Sequence, residues 1–329
     1  MVPFDRRRHR YAVVCACATV VLLVAGGLVT STGSGLAVPD WPLSFGRLFP
    51  PMTGGVLFEH GHRLIAALVG LLTIGLAVWF GRSEPRAWVR RLSYLAIGAV
   101  VAQGLLGGLT VLLRLPPSVS VLHACLAQGF FCIVVLLAVC TSREYVDPLP
   151  ATRPGEGPAP WIPAAVATGL VYAQLILGAV MRHTGAGLAI PDVPLAFGRL
   201  VPPLQSFEIA VHFAHRVMAI VVAAAVCVSA APILRRRPAR VDLVRPARLA
   251  VGLVVLQIAL GATTVLTRLA VLPATAHVVV GALLLATCLV LTVRAARPAV
   301  LRLPAEAPDR GRRDAAGPIT PARATGSPA

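Results

Sequence analysis

Apolar residues run along this chain in long blocks, and polar residues are confined to the gaps. Blocks of about 20 apolar residues recur at roughly 11–29, 64–80, 92–113, 119–140, 161–181, 207–231, 249–267 and 273–293, each near the length that carries a helix across a hydrocarbon core about 30 Å thick. The pattern predicts eight membrane-spanning helices and hence an all-α integral membrane protein. Two blocks have polar openings: span two can begin nearer Glu59, and span six carries Glu208, His212 and His215 in its first turns. The first block follows Arg6, Arg7, Arg8 and Arg10, as a signal peptide would. No small-x-small cleavage site leads from it into a polar domain, and the later blocks are equally apolar, so it reads as a retained span.

Composition agrees: 57% of the 329 residues are hydrophobic and only 13% charged, about half the charged share of a soluble domain. The net charge of +17 is carried by 30 basic residues, all arginine. They crowd the amino terminus and the segments 81–91, 142–160 and 232–248, while the alternate gaps hold only Arg47, Arg114, Arg182, Arg199 and Arg268. By the positive-inside rule both termini are expected on the cytoplasmic side. The charge is thus a topology signal, and no nucleic-acid partner is expected; the surrounding partner is lipid. The seven cysteines all fall in apolar blocks, where small apolar packing is their expected use.

The chain contains one unit written twice. Gly33–Pro51, GSGLAVPDWPLSFGRLFPP, returns 152 residues later as GAGLAIPDVPLAFGRLVPP, with 14 of 19 positions identical. Beyond that loop Glu59, His62 and Arg63 answer to His212, His215 and Arg216, Gln103, Gly107, Thr110 and Arg114 answer to Gln257, Gly261, Thr264 and Arg268, and His123 answers to His277. Each half supplies four helices in the same orientation, which predicts two four-helix bundles related by a pseudo-twofold axis along the membrane normal. The expected division is 1–148, 149–297 and a disordered cytoplasmic tail at 298–329, rich in Pro, Ala, Arg and Gly.

Candidate chemistry centres on four histidines. His62 and His123 are 61 residues apart and His215 and His277 are 62 apart, the spacing of one helix down, one back and the start of a third. All four are thus expected at one depth near the outer surface. Ionisable groups inside a membrane face a cavity or each other and mark functional sites. Two imidazoles on facing helices can ligate a haem iron from both sides; zinc is disfavoured because two histidines per half leave a tetrahedral shell short. A packing role for the histidines is the bland alternative, weakened by their duplication. Arg63 and Arg216 are candidates to pair with a haem propionate or to snorkel to the interface, and Arg114 and Arg268 fit either use. Glu59 lies on the face of His62 where the second half has His212. This makes the first half the candidate reactive site, with Glu59 as proton acceptor and the second half an electron-transfer or structural haem. His60 and His212 read as supporting groups, Asp40 and Asp192 as loop-turn residues paired with an arginine, and Trp41 as a cover or anchor at the first site.

Taken together, GSGLAVPDWPLSFG, EHGHR at 59–63, HACLAQG around His123, HFAHR at 212–216 and TAHVVVG around His277 resemble the haem A synthase family over about residues 10–295. The resemblance implies a membrane oxidoreductase that converts a methyl group of haem O to the formyl group of haem A, by stepwise hydroxylation and loss of water from a gem-diol. It implies substrate haem O at His62 and His123, haem b at His215 and His277, and Glu59 as the essential acid. It also implies the bacterial cell membrane as location, haem O synthase and cytochrome oxidase assembly factors as candidate partners, and an electron acceptor still to be named. Many bacterial members carry two cysteines in the first outward loop where this chain has Val38 and Ser44, so no disulfide chemistry runs through that loop here. A di-haem electron-transfer cytochrome and a haem carrier are the competing readings.

Overall fold

A computed structural model describes residues 3–147 and 160–300. Within them the eight blocks are eight long helices: α1 Arg6–Ser31, α2 Gly55–Ser83, α3 Ala87–Leu112, α4 Pro117–Cys140, α6 Trp161–His183, α7 Phe207–Arg236, α8 Val241–Leu266 and α9 Val271–Val300. A four-residue helix, α5 (Arg143–Val146), follows α4. All eight are long and apolar enough to cross a membrane. The described residues include no strand, only isolated bridges between Ser44 and Arg47 and between Ala196 and Arg199.

Helix ends follow local chemistry. The Asp5 carboxylate caps α1 by accepting from the Arg7 and Arg8 backbone N–H groups at 2.9 and 3.2 Å, and Ser206 caps α7 through Ile209 N–H. Pro117 opens α4, where its missing N–H is no loss. The duplicated Arg114 and Arg268 sit with Leu115 and Leu269 at positive φ, in tight turns closed by Leu115 N–H to Thr110 O and Leu269 N–H to Thr264 O.

The largest departures from the apolar blocks are the early starts of two helices. α2 starts at Gly55 rather than near 64, because Glu59 and Arg63 neutralise each other one turn apart. α8 starts at Val241 rather than near 249. Its Pro246 frees the Asp242 carbonyl, and Arg294 of α9 donates to that oxygen at 3.0 Å. α9 extends to Val300, past the expected start of the tail at 298; residues 301–329 lie outside the described residues.

α1 packs on α2 and α4, and α3 packs on the same two; α6 packs on α7 and α9, and α8 likewise. Contacts of α1 and α4 with α9, and of α4 with α6, join these groups. Lipid tails are as apolar as the helix faces, so close packing rather than water exclusion holds such helices together. Phe80, Phe130, Phe131 and Leu137 fill one cluster with Ala282 and Ala286 of α9, and Val171, Val226, Leu284 and Cys288 fill another. Cys15, Cys140 and Cys288 are buried thiols within this packing, and the seven cysteines are free.

A charged knot closes the end of α2 away from the histidines. Buried Glu84 accepts from Arg8 at 2.9 Å and from Arg86 at 2.6 Å, and Arg86 also donates to the Cys140 carbonyl. Burial alone would raise the Glu84 carboxyl pKa, but the Arg86 hydrogen bonds and the Arg86 and Arg8 charges outweigh it and hold the group below its ordinary range.

Candidate functional site

Each of the four histidines lies against a glycine of the preceding helix. A Cβ on Gly26 would stand 3.1 Å from His62 Cε1, one on Gly107 3.1 Å from His123, one on Gly178 3.0 Å from His215 and one on Gly261 3.1 Å from His277. The four contacts pair α1 with α2, α3 with α4, α6 with α7 and α8 with α9. Every one of these rings has a buried Nδ1 with no hydrogen-bond partner, and leaving a buried polar atom unsatisfied costs about 1–3 kcal/mol. In the second half the structure brings the His215 and His277 rings to a centroid separation of 6.3 Å. Two imidazole nitrogens each about 2 Å from one metal ion put ring centroids about 6 Å apart.

Three glutamines hold three of these histidines. Gln103 Nε2 donates to the His123 carbonyl at 2.9 Å and lies 3.3 Å from its ring Nε2. Gln174 does the same for His215 and Gln257 for His277, each at 2.9 Å from the carbonyl. Each glutamine stands four residues before the glycine on its helix; the equivalent residue before Gly26 is Leu22. Sequence comparison of the halves pairs Gln103 with Gln257 but passes over Gln174, whose counterpart is a leucine. The repeated Q-x-x-x-G spacing was the signal that reveals it.

Glu59 is buried, its Oε2 accepting Val38 N–H at 2.8 Å and its Oε1 accepting from Arg63 at 2.7 Å. Arg63 also donates to the Asp40 and Leu43 carbonyls at 2.8 and 2.9 Å. In the second half His212 Nδ1 accepts Ile190 N–H at 3.3 Å, and Arg216 donates to the Ile190 and Leu195 carbonyls at 2.9 Å. Glu59 and His212 therefore share one task, fastening the duplicated loop to its helix. Arg63 and Arg216, candidates for a propionate, both direct guanidinium N–H groups into the loops. Asp40 and Asp192 clamp the same loops, by accepting from Phe45 and Gly46 and from Phe197 and Gly198 at 2.7 to 2.9 Å. Those backbone N–H bonds hold both carboxyls below the ordinary range. The expected side-chain pairing of these aspartates with an arginine gives way to this backbone clamp.

The halves differ in two further places. His60 is buried with Nδ1 2.8 Å from Ser44 Oγ, where the second half has Phe213 and Ala196. Trp41 lies over Gly108 so closely that a Cβ there would stand 2.6 Å from the indole; the second half pairs Val193 with Ala262. Between the histidine pairs, Arg182 donates to Ser31 Oγ at 2.6 Å, and Thr275 donates to the same oxygen at 3.0 Å. Gly26 faces His62 while Gly27 faces Thr275, two residues before His277, so α1 touches His62 and the helix that carries His277.

A haem iron asks the protein for only two axial ligands. Among the described residues no three His, Cys, Asp or Glu side chains gather around a bare metal ion, whereas paired imidazoles with glycine cradles and unpartnered nitrogens fit a porphyrin iron. Fold and site together define a multi-pass helical membrane protein carrying four half-buried histidines, two in each of its duplicated halves.

The model of the family COX15-CtaA, cytochrome oxidase assembly protein, matches residues 9–289, and the chain belongs to that family. Among its relatives, the heme A synthase of Symbiobacterium thermophilum is 35% identical over 257 residues, covering 74% of this chain and 82% of its own length. Those of Shouchella clausii and Halalkalibacterium halodurans are 32% and 31% identical, covering 78% and 85% of this chain and 86% and 95% of their own.

Proposed function

We propose that this protein is a haem A synthase, a membrane oxidoreductase that converts the methyl substituent of haem O to the formyl group of haem A for cytochrome oxidase assembly. The observation that carries the reading is the pair of duplicated histidine sites, each with unpartnered buried nitrogens, of which only the first has a carboxylate one turn before its leading histidine, Glu59 before His62, where the second has His212 before His215. His62 and His123 take the substrate haem, and His215 and His277 hold a haem b. Haem b, when bound, supplies a one-electron outlet, which fits an oxidation that must remove four electrons in all.

Glu59 serves as proton acceptor at the first site. Each of its oxygens accepts one hydrogen bond and retains a lone pair. Trp41 covers the same site from the loop, and Arg63 and Arg216 set the loops over the two haem positions. The arginine distribution supports both termini on the cytoplasmic side of the cell membrane. Haem O synthase is the expected source of substrate, and cytochrome oxidase assembly consumes the product.

The test uses Glu59→His beside Glu59→Gln, in cells that make haem O and have no other source of haem A. The histidine variant copies His212 and keeps an acceptor for Val38 N–H while removing the carboxylate. Accumulated haem O with haem b retained in both variants is expected. Normal haem A from either variant refutes the catalytic role of Glu59. Haem extraction and chromatography of the wild type separates a haem A synthase, which yields haem b with haem O or A, from a di-haem cytochrome.

A further inference from the structure

The two histidine pairs are tethered unequally. In the second pair both histidines are held by a glutamine amide from the neighbouring helix, Gln174 on His215 and Gln257 on His277. In the first pair only His123 is held, by Gln103. The helix against His62 offers Leu22 at that position, although its glycine contact, Gly26, is built like the other three. An iron carrying two imidazoles has no open position. A resident cofactor can stay in that state, but a substrate haem must enter, react and leave, so one ring of its pair has to release.

We infer that His62 is the exchangeable ligand of the first pair, because the leucine at position 22 offers it no side-chain amide, while Gln103 keeps His123 in place. The inference rests on the functional reading above and deepens it. The three glutamines act as positioning residues: each fixes the helix carrying its histidine through the backbone carbonyl and meets one edge of the ring. Groups that orient a metal-ligating histidine typically change metal affinity by about 10–100-fold when removed. The ring without a glutamine amide is also the one with Glu59 one turn away, so the opening side of the iron and the acidic group share one helix. A site with both rings tethered is suited to permanent haem b, which agrees with the assignment of the halves from Glu59 but draws on different residues.

The experiment reads carbon monoxide binding to the dithionite-reduced, purified full-length protein, isolated from cells that make haem O, with haem content determined on the same samples. Wild type is expected to bind carbon monoxide at the first site only. Leu22→Gln supplies the fourth tether and is expected to weaken that binding by roughly 10-fold or more, and to raise the low-spin fraction with haem content unchanged. Gln174→Leu frees His215 and is expected to create a second carbon monoxide-binding component; it also covers failure of Leu22→Gln to fold. Unchanged carbon monoxide binding in both variants, with haem O or A in the extracts, overturns this inference and leaves the enzyme assignment standing. Extracts holding haem b alone overturn the assignment, and the Gln174→Leu spectrum still decides whether the amide governs ligand release.

Discussion

Replacing Gly261 by alanine should disturb the second site while leaving the fold in place. The new Cβ would stand 3.1 Å from His277 Cε1, 3.6 Å from Nδ1 and 3.9 Å from Nε2. Carbon atoms settle at about 3.5–4.0 Å, so the ring must retreat by roughly 0.5 Å. Overpacking of this kind costs about 1–3 kcal/mol, and alanine returns about 1 kcal/mol of helix propensity over glycine. The net loss of stability is therefore small, and the protein should still be made and inserted. The ligand geometry is less forgiving, since metal sites hold distances to about 0.2 Å, and His277 must share its partner with His215 across a ring separation of 6.3 Å. Purified Gly261→Ala is expected to lose low-spin haem b, seen in its optical and electron paramagnetic resonance spectra, with nearly normal thermal melting. Gly252→Ala is the control on the same helix, because no heavy atom lies within 4 Å of its added Cβ. Equal haem content and identical spectra in the two variants would refute the placement of His277 against an iron.

Gly108→Ala should displace Trp41, whose indole would lie 2.6 Å from the new Cβ, and shift its fluorescence. Adding Trp41→Val, the combination the second half uses at Val193 and Ala262, should restore stability, and a double-mutant cycle without coupling between the two would argue against the contact. Glu84→Gln strands Arg8 and Arg86 and should lower the melting temperature at neutral pH, since breaking a buried pair costs about 3–5 kcal/mol. Because the folded carboxyl is held below its ordinary value of 4.5, the stability it contributes is complete above that value and lost as pH falls through the lower folded one. Wild-type melting should therefore fall more steeply with acid than that of Glu84→Gln, and parallel acid slopes would show that the knot is not the titrating element.

Much of the site could be read before any coordinates. The duplicated loop paired Glu59 with His212 and His62 with His215, and the spacing of His123 and His277 put them on the next inward helices. Sequence could not say what Glu59 touches. Its bond to Val38 N–H, matched by His212 to Ile190 N–H, makes it a loop fastener as well as the candidate acid, and the two tasks separate only through a substitution that keeps one of them. Nor could sequence say what Arg63 and Arg216 touch: a basic residue beside a histidine suggests an anionic ligand, and the structure adds that their guanidinium groups reach loop carbonyls 20 to 26 residues away in sequence. The start of α2 was legible only in part: the sequence allowed an opening nearer Glu59, and the pairing of Glu59 with Arg63 within the helix, which apolar pattern alone cannot show, goes with a start at Gly55.

From its amino acids alone, then, the chain is a bundle of eight membrane helices built from a repeated unit with four histidines at matched places. Those properties are legible because the transfer of apolar side chains into lipid sums along the chain and needs no partner. Only the tertiary structure decided which polar groups are already engaged and which are left open: that Gln174 tethers His215 while Leu22 leaves His62 without an amide, and that each imidazole keeps one buried nitrogen unpartnered. Hydrogen bonds are directional and fade within a fraction of an ångström, so their partners are set by how the helices pack, which no linear spacing records.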